Sequence, residues 1–304
     1  MKLLINKWTL LITILLLWTG AGILLFGKSS GQESAATSIN GTPERIICCA
    51  PNLAEIAFAL GIGDKLVGVP DSSKHPAAVK DIPKIGSFWT PAIEPIIAKR
   101  PDLTITLGFS QQKSLAAGLN SLGHNTLTVN IETIDEFYDA VKAIGAATNT
   151  QQQADTLIGD LKHNIDEYSK RMHCDTPPKV LWVVQRQPLR VAGSATFVND
   201  MIELAGGVNA IGNTDYQYPP IGSEQVYALK PDIIIEPAMT TDDLDMQLKS
   251  AKQYWNKFDI PATINQRIYV IDADAVSQLG PRLFEGIQTI SKCVRPELFE
   301  ETIQ

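Results

Sequence analysis

One short residue pattern occurs twice in this chain, and the repeat restricts the fold more than any other feature. The stretch EPIIAKRPDLTI begins at Glu94, and EQVYALKPDIII begins at Glu224. In both, a Pro-Asp pair (Pro101-Asp102 and Pro231-Asp232) lies seven and eight residues after the glutamate, with an apolar run directly beyond. Each copy therefore reads as a short helix, a proline that stops it, and a strand apolar enough to be buried on both faces. Upstream, each copy has a matching piece. Strand Arg45–Cys49 leads to helix Leu53–Leu60 and Gly61, while strand Val180–Val184 is followed by helix Phe197–Ala205 and Gly206-Gly207. A glycine just past the last apolar turn is the usual helix stop. Agreement in order, spacing and terminal residues points to duplicated supersecondary units. The expected fold class is α/β, built as two lobes, each a mainly parallel sheet with flanking helices.

The segment between the copies is of another kind. From Gln151 to Met172, Ala154, Leu157, Ile158, Leu161, Ile165 and Tyr168 form one apolar stripe, at the spacing of a helix about 33 Å long. Pro177-Pro178 cannot continue it. This helix is itself the connection between the lobes, and a single rigid strut permits a smaller closing motion than a flexible multi-stranded hinge.

At the amino end, Lys2 and Lys7 precede an apolar run from Trp8 to Phe26. Nineteen helical residues span about 28 Å, close to the bilayer core of roughly 30 Å, and exceed the 7–15 apolar residues of most cleavable signals. The segment reads as a membrane anchor or a signal peptide, with the anchor favoured, and its charged end stays in the cytoplasm so that the bulk is exported. Cys48 is the first cysteine, too far downstream for a lipoprotein signal. Gly27–Thr42, rich in Ser, Gly and Ala, reads as a tether. The expected boundaries are an anchor or signal over 1–30, a tether over 31–43, lobe one over 44–148, the linking helix over 149–174 and lobe two over 175–304.

Chemistry is harder to find. A net charge of −7 with no cluster of Lys and Arg argues against a nucleic-acid partner. No GxSxG, HExxH, P-loop or strand-borne GxGxxG occurs, so no residues support an enzyme, a catalytic centre or a cofactor. The four histidines are scattered and no CxxC exists, which gives no metal site. Export would allow Cys174 and Cys293 to pair, but buried free thiols are the simpler reading. Adjacent Cys48 and Cys49 should face opposite sides of their strand.

Taken together, the stretches RIICCAPNLAEIAFALGIGDKLVGV, IPKIGSFWTPAIEPIIAKRPDLTI, FVNDMIELAGGVNAIG and YPPIGSEQVYALKPDIII, with the long helix between them, resemble the helical-backbone class of periplasmic binding proteins. These serve cobalamin, heme and iron–siderophore importers, and the resemblance covers about Pro43 to Pro296. It implies an extracytoplasmic receptor of an ABC importer that captures a small molecule between its lobes. It further implies that Glu94 and Glu224 dock on a permease, which works with its ATPase. Ligand is expected at loops leaving the carboxyl ends of the strands. The candidates are Pro51, Asn52, Phe88 and Trp89 on lobe one, and Arg186, Tyr218 and Asp274 on lobe two. Phe88, Tyr218 and Asp274 match cobalamin-binding members most closely, whereas Ser72 and Gln278 stand where those members commonly carry tyrosine and arginine. A corrinoid is therefore the expected ligand. A ferric siderophore or heme, or a membrane-tethered sensor using the same cleft, are the alternatives. His75, preceding Pro76, is expected to face solvent and so not to ligate heme iron.

Overall fold

The computed structural model describes residues 41–238 and 243–299. The proposed anchor and the tether before Gly41 lie outside the described residues, as does the carboxyl end from Glu300. Among the described residues, no helix is long and apolar enough to cross a membrane.

The first lobe runs β1 (Ile46–Cys48), α1 (Pro51–Ala59), β2 (Leu66–Gly68), α2 (Ile93–Ala98), β3 (Leu103–Leu107), α3 (Ser110–Ser121), β4 (Thr126–Val129) and α4 (Ile134–Thr148). Its sheet is wholly parallel in the order β2-β1-β3-β4. Helix α5 (Gln151–Met172) follows, over the residues its apolar stripe indicates. The second lobe runs β5 (Lys179–Arg186), β6 (Leu189–Val191), α6 (Phe197–Leu204), β7 (Val208–Asn209), α7 (Ser223–Leu229), β8 (Ile233–Ala238), α8 (Leu244–Trp255), α9 (Pro261–Ile264), β9 (Ile268–Asp272) and α10 (Leu283–Val294). Its sheet has β8 and β9 in parallel on one side of β5, while parallel β7 and antiparallel β6 share the other. The β5 strand runs two residues beyond Val184 because the hairpin to β6 carries its pairing to Arg186↔Leu189. Arg186 is thus a strand residue rather than a loop residue.

The repeat in the sequence is a repeat in structure. Arg100 and Lys230, each directly before the Pro-Asp pair, both adopt left-handed backbone, with φ of 48° and 47°. Asp102 Oδ2 accepts the Arg45 N–H at 2.9 Å and Asp232 Oδ2 accepts the Lys179 N–H at 2.8 Å. In return, the N–H groups of Asp102 and Asp232 donate to the carbonyls of Arg45 and Lys179. In each lobe the aspartate fastens the start of one strand to the start of its parallel neighbour. Glu94 and Glu224 occupy the second positions of α2 and α7, inside the first turn of equivalent helices, and both are exposed.

Alternation along the strands divides the interior into three layers. Ile46, Cys48, Val180, Trp182, Ile233 and Ile235 point into one continuous core that also holds Ala154, Ile158, Leu161, Ile165 and Tyr168 of α5. Their sequence neighbours point the other way. Ile47 and Cys49 enter a core private to the first lobe, and Leu181, Val183 and Ile234 enter one private to the second. Cys48 and Cys49 do face opposite sides. All four cysteines are free thiols, three of them buried, and burial pushes the Cys49 and Cys293 thiols up to about 12. The linking helix is consequently packed as core and is not a bare strut. Tyr168 meets Phe284 of α10 edge-on at 5.3 Å, and Arg295 Nη1 donates to the Met172 carbonyl at 3.0 Å, closing the helix end. Gly206 (φ +86°) passes against that same carbonyl, where a Cβ would collide.

Candidate functional site

The carboxyl ends of β1, β3 and β9 open onto a cavity of about 400 Å³ between the lobes, within the range of small-molecule sites. Proline at the first position of α1 follows β1 and starts the helix at the cavity edge, with Asn52 one residue on. Asn52 Nδ2 donates to the Leu279 carbonyl of the second lobe at 2.9 Å.

The Phe88-Trp89 loop is held from beneath by a side chain that sequence reasoning missed. Gln112, fully buried at the start of α3, accepts the Leu107 N–H through Oε1 at 2.7 Å. Its Nε2 donates to the carbonyls of Cys49 (2.8 Å) and Phe88 (3.4 Å), tying the loop to the ends of β1 and β3. Ser87 Oγ accepts the N–H groups of Trp89 and Thr90, fixing the turn. Phe88, Trp89 and Phe109 then form an aromatic group with ring centroids 4.6 to 6.1 Å apart. Trp89 remains 69% exposed. Rings in contact with one another on one side leave a face free on the other, a surface suited to a flat or bulky apolar ligand. Leu107, Ile131 and Phe197 extend the apolar wall.

The rest of the lining is mostly polar: Ser72 and Lys74 from the first lobe, and Asp272, Asp274, Ser277 and Gln278 from the second. Asp272 Oδ1 accepts the Asp274 N–H at 3.0 Å, shaping the turn after β9. Asp274 does not stand alone. Its Oδ2 lies 2.8 Å from His75 Nε2, from the first lobe, and 3.0 Å from Arg282 Nη2, from the second. Arg282 also grips the buried Glu55 of α1 with two bonds, Nε to Oε2 at 2.9 Å and Nη2 to Oε1 at 2.8 Å. Gln278 Nε2 donates to the same carboxylate at 3.1 Å. The bonds from Glu55, followed by the charges of Glu55 and Asp274, raise the Arg282 guanidinium above its ordinary range. His75 is half-exposed, as its place before Pro76 suggested, but it is also engaged with Asp274. Among the described lining residues Lys74 is the one formal cation, set against Asp272 and the already paired Asp274.

Five of the residues singled out from sequence therefore meet around one cavity: Pro51, Asn52, Phe88, Trp89 and Asp274. Arg186 and Tyr218 do not line it. Arg186 sits at the end of β5, where its Nε is 3.3 Å from Glu236 Oε2, its Nη1 donates to Ser250 Oγ at 2.9 Å, and its guanidinium lies over the Tyr254 ring. Glu236 is buried and accepts the Trp255 indole N–H at 2.6 Å. Burial raises its pKa, with the Trp255 bond and the Arg186 charge acting in the other direction. An arginine matched to a buried acid is committed inside its own lobe. Tyr218 is exposed, and partial burial of its hydroxyl, then the Glu132 carboxylate of the first lobe, raise its pKa. A larger open groove, about 830 Å³, lies at the far end of α5 between Lys170, His173, Asp200 and Glu203, with no strand end opening into it. Among the described residues, no three His, Cys, Asp or Glu side chains gather into a metal site.

Comparison with known proteins shows what the chain is similar to in sequence and fold. A family model described as periplasmic binding protein matches residues 46–275. An uncharacterized ABC transporter substrate-binding lipoprotein of Bacillus subtilis is 30% identical over 271 residues, spanning 87% of this chain and 84% of its own length. A vitamin B12-binding protein of Vibrio cholerae is 24% identical over 247 residues, 81% of this chain and 87% of its own. Among solved structures, a possible iron-binding (periplasmic solute-binding) protein from Staphylococcus epidermidis aligns with a TM-score of 0.72 at 28% identity, over 84% of this chain and 100% of its own.

Proposed function

The chain belongs to the periplasmic binding protein family, a family of solute carriers and not of enzymes, and from that premise we propose that it is the extracytoplasmic receptor of an ABC importer for a corrinoid. The observation that carries the ligand reading is the mixed lining of the cavity. Its lining offers aromatic and apolar faces together with neutral hydrogen-bonding groups, one cation, Lys74, and two carboxylates, Asp272 and the already paired Asp274. A corrin ring presents broad faces and a rim of neutral amides, and both match. Heme would ask for an axial Tyr, His or Met and for cations at its carboxylates. No Tyr, His or Met lines the cavity among the described residues. A ferric siderophore, usually anionic, would have Lys74 alone. The vitamin B12-binding relative supports the same reading, and the iron-binding neighbour is the reason to test chelates beside it.

Delivery requires a permease and its ATPase, and we assign the docking contacts to Glu94 and Glu224. Their equivalent places in the two lobes, and their lack of any ion pair among the described residues, suit two matching contacts on a two-fold partner. The apolar run Trp8–Phe26 is proposed to hold the receptor at the cytoplasmic membrane. The Bacillus relative is named a lipoprotein, but this chain has no cysteine before Cys48, itself buried in β1.

The test is the melting temperature of the full-length chain in detergent with cyanocobalamin, cobinamide, hemin or a ferric siderophore. A ligand at 100 times its dissociation constant adds about 2.7 kcal/mol, a rise of roughly 5–10 °C for a chain of this size. A rise with both corrinoids alone is expected. A rise with hemin or a siderophore alone would overturn the corrinoid assignment and leave the receptor reading in place.

A further inference from the structure

We propose that Arg282 is a positioning residue that locks the two lobes together at the floor of the cleft and so sets the spacing a ligand meets. The inference rests on that cleft being the ligand site, but its own evidence is separate. Arg282 belongs to the second lobe, immediately before α10, and both of its bonds to Glu55 reach into the first. The side chain of Glu55 is 7% exposed and that of Arg282 21%. A buried carboxylate without its cation would be costly, which makes separation of the lobes here unfavourable. Three further links cross the same seam: Asn52 to the Leu279 carbonyl, Gln278 to Glu55, and His75 to Asp274. Asp274 is the one member that both lines the cavity and touches Arg282. The arginine thus connects the lobe-to-lobe contact to the ligand wall while itself standing behind it. With α5 packed as shared core at one place and this lock at another, the lobes are joined at two points. A body joined at two points has less freedom to hinge than one joined by a helix alone.

The lock can be tested without any ligand, so the outcome does not depend on what the cleft accepts. Spin labels are placed on full-length chain in detergent at Ser121→Cys and Lys249→Cys, exposed positions on α3 and α8 of opposite lobes, in a Cys174→Ser background. Cys48, Cys49 and Cys293 are buried and stay unlabelled. Pulsed dipolar spectroscopy then reads the distribution of interlobe distances. With Arg282 present, one narrow distance is expected. Arg282→Met keeps the apolar stem and removes the charge, and the distribution should broaden and shift. Arg282→Lys should narrow it again. Should Arg282→Met fail to fold with Glu55 stranded, the Glu55→Gln/Arg282→Met pair removes that stranded charge, leaves Asp274 with His75, and should still broaden the distribution. A narrow, unshifted distance in the methionine variants would overturn the lock, as would a lysine variant as broad as the methionine one.

Discussion

At the scale of single residues, the informative side chains are those that join distant parts of the chain. Asp102 and Asp232 give the sequence repeat its physical content, since each carboxylate accepts the N–H that opens a neighbouring parallel strand. Hydrogen bonds to a charged group contribute about 1.5–3 kcal/mol, and partial exposure lowers this, so Asp102→Ala and Asp232→Ala should each cost about 1–2 kcal/mol. Urea unfolding would measure it, and the asparagine variants should lose less, because the amide oxygen still accepts. These aspartates were legible in sequence as markers of a repeat, although not as strand clips. Pro51, Asn52, Phe88, Trp89 and Asp274 were legible as residues on the side of the sheets where the parallel strands end, although Pro51 and Asn52 open α1 and do not lie in a loop. Phe109 and Gln112 were not, because nothing in GFSQQ distinguishes a ring that joins an aromatic group from one packed locally. Arg186 read as a ligand-contact candidate because its partner, Glu236, lies on another strand. The Glu55–Arg282 pair spans 227 residues, beyond any local pattern. Its one trace is an acid inside the otherwise apolar NLAEIAFAL, where a buried charge demands a partner.

At the scale of elements, α5 is the piece whose sequence and structure agree most closely, since a 3.6-residue stripe and a pair of stopping prolines act locally. What periodicity alone did not show is that the stripe enters a core shared by both lobes. Leu161→Ala, which opens a cavity at the middle of that helix, should cost about 2–4 kcal/mol. Because the same core reaches both sheets, the loss should appear as one cooperative transition at lower denaturant. Probes placed separately on β3 and β8 should report the same midpoint, and two resolved transitions would show that the lobes are energetically independent. The β6 and β7 strands, at three and two residues, escaped sequence reading because so short a pairing carries no alternation of its own. The consequence of β6 is the longer β5, which moves Arg186 from a loop to a strand end.

At the scale of the whole molecule, the architecture is two equivalent α/β lobes on one packed helix, a cavity where the strand ends face each other, and a lock at its floor. Such a body suits capture and presentation, with small adjustment of the lobes rather than wide opening. The equivalence of the lobes extends to the first turns of α2 and α7, which gives Glu94 and Glu224 the same setting. An acid in that position stabilises its helix through the dipole by about 0.3–1 kcal/mol, and this alone would explain each glutamate by itself. The proposed docking would account for the pair. Uptake of labelled cyanocobalamin into cells carrying Glu94→Lys/Glu224→Lys, alongside the affinity of the same purified variant, separates the two. A delivery receptor loses uptake and keeps its wild-type affinity. Uptake that survives the double reversal would contradict delivery through these contacts and would favour a tethered sensor using the same cleft.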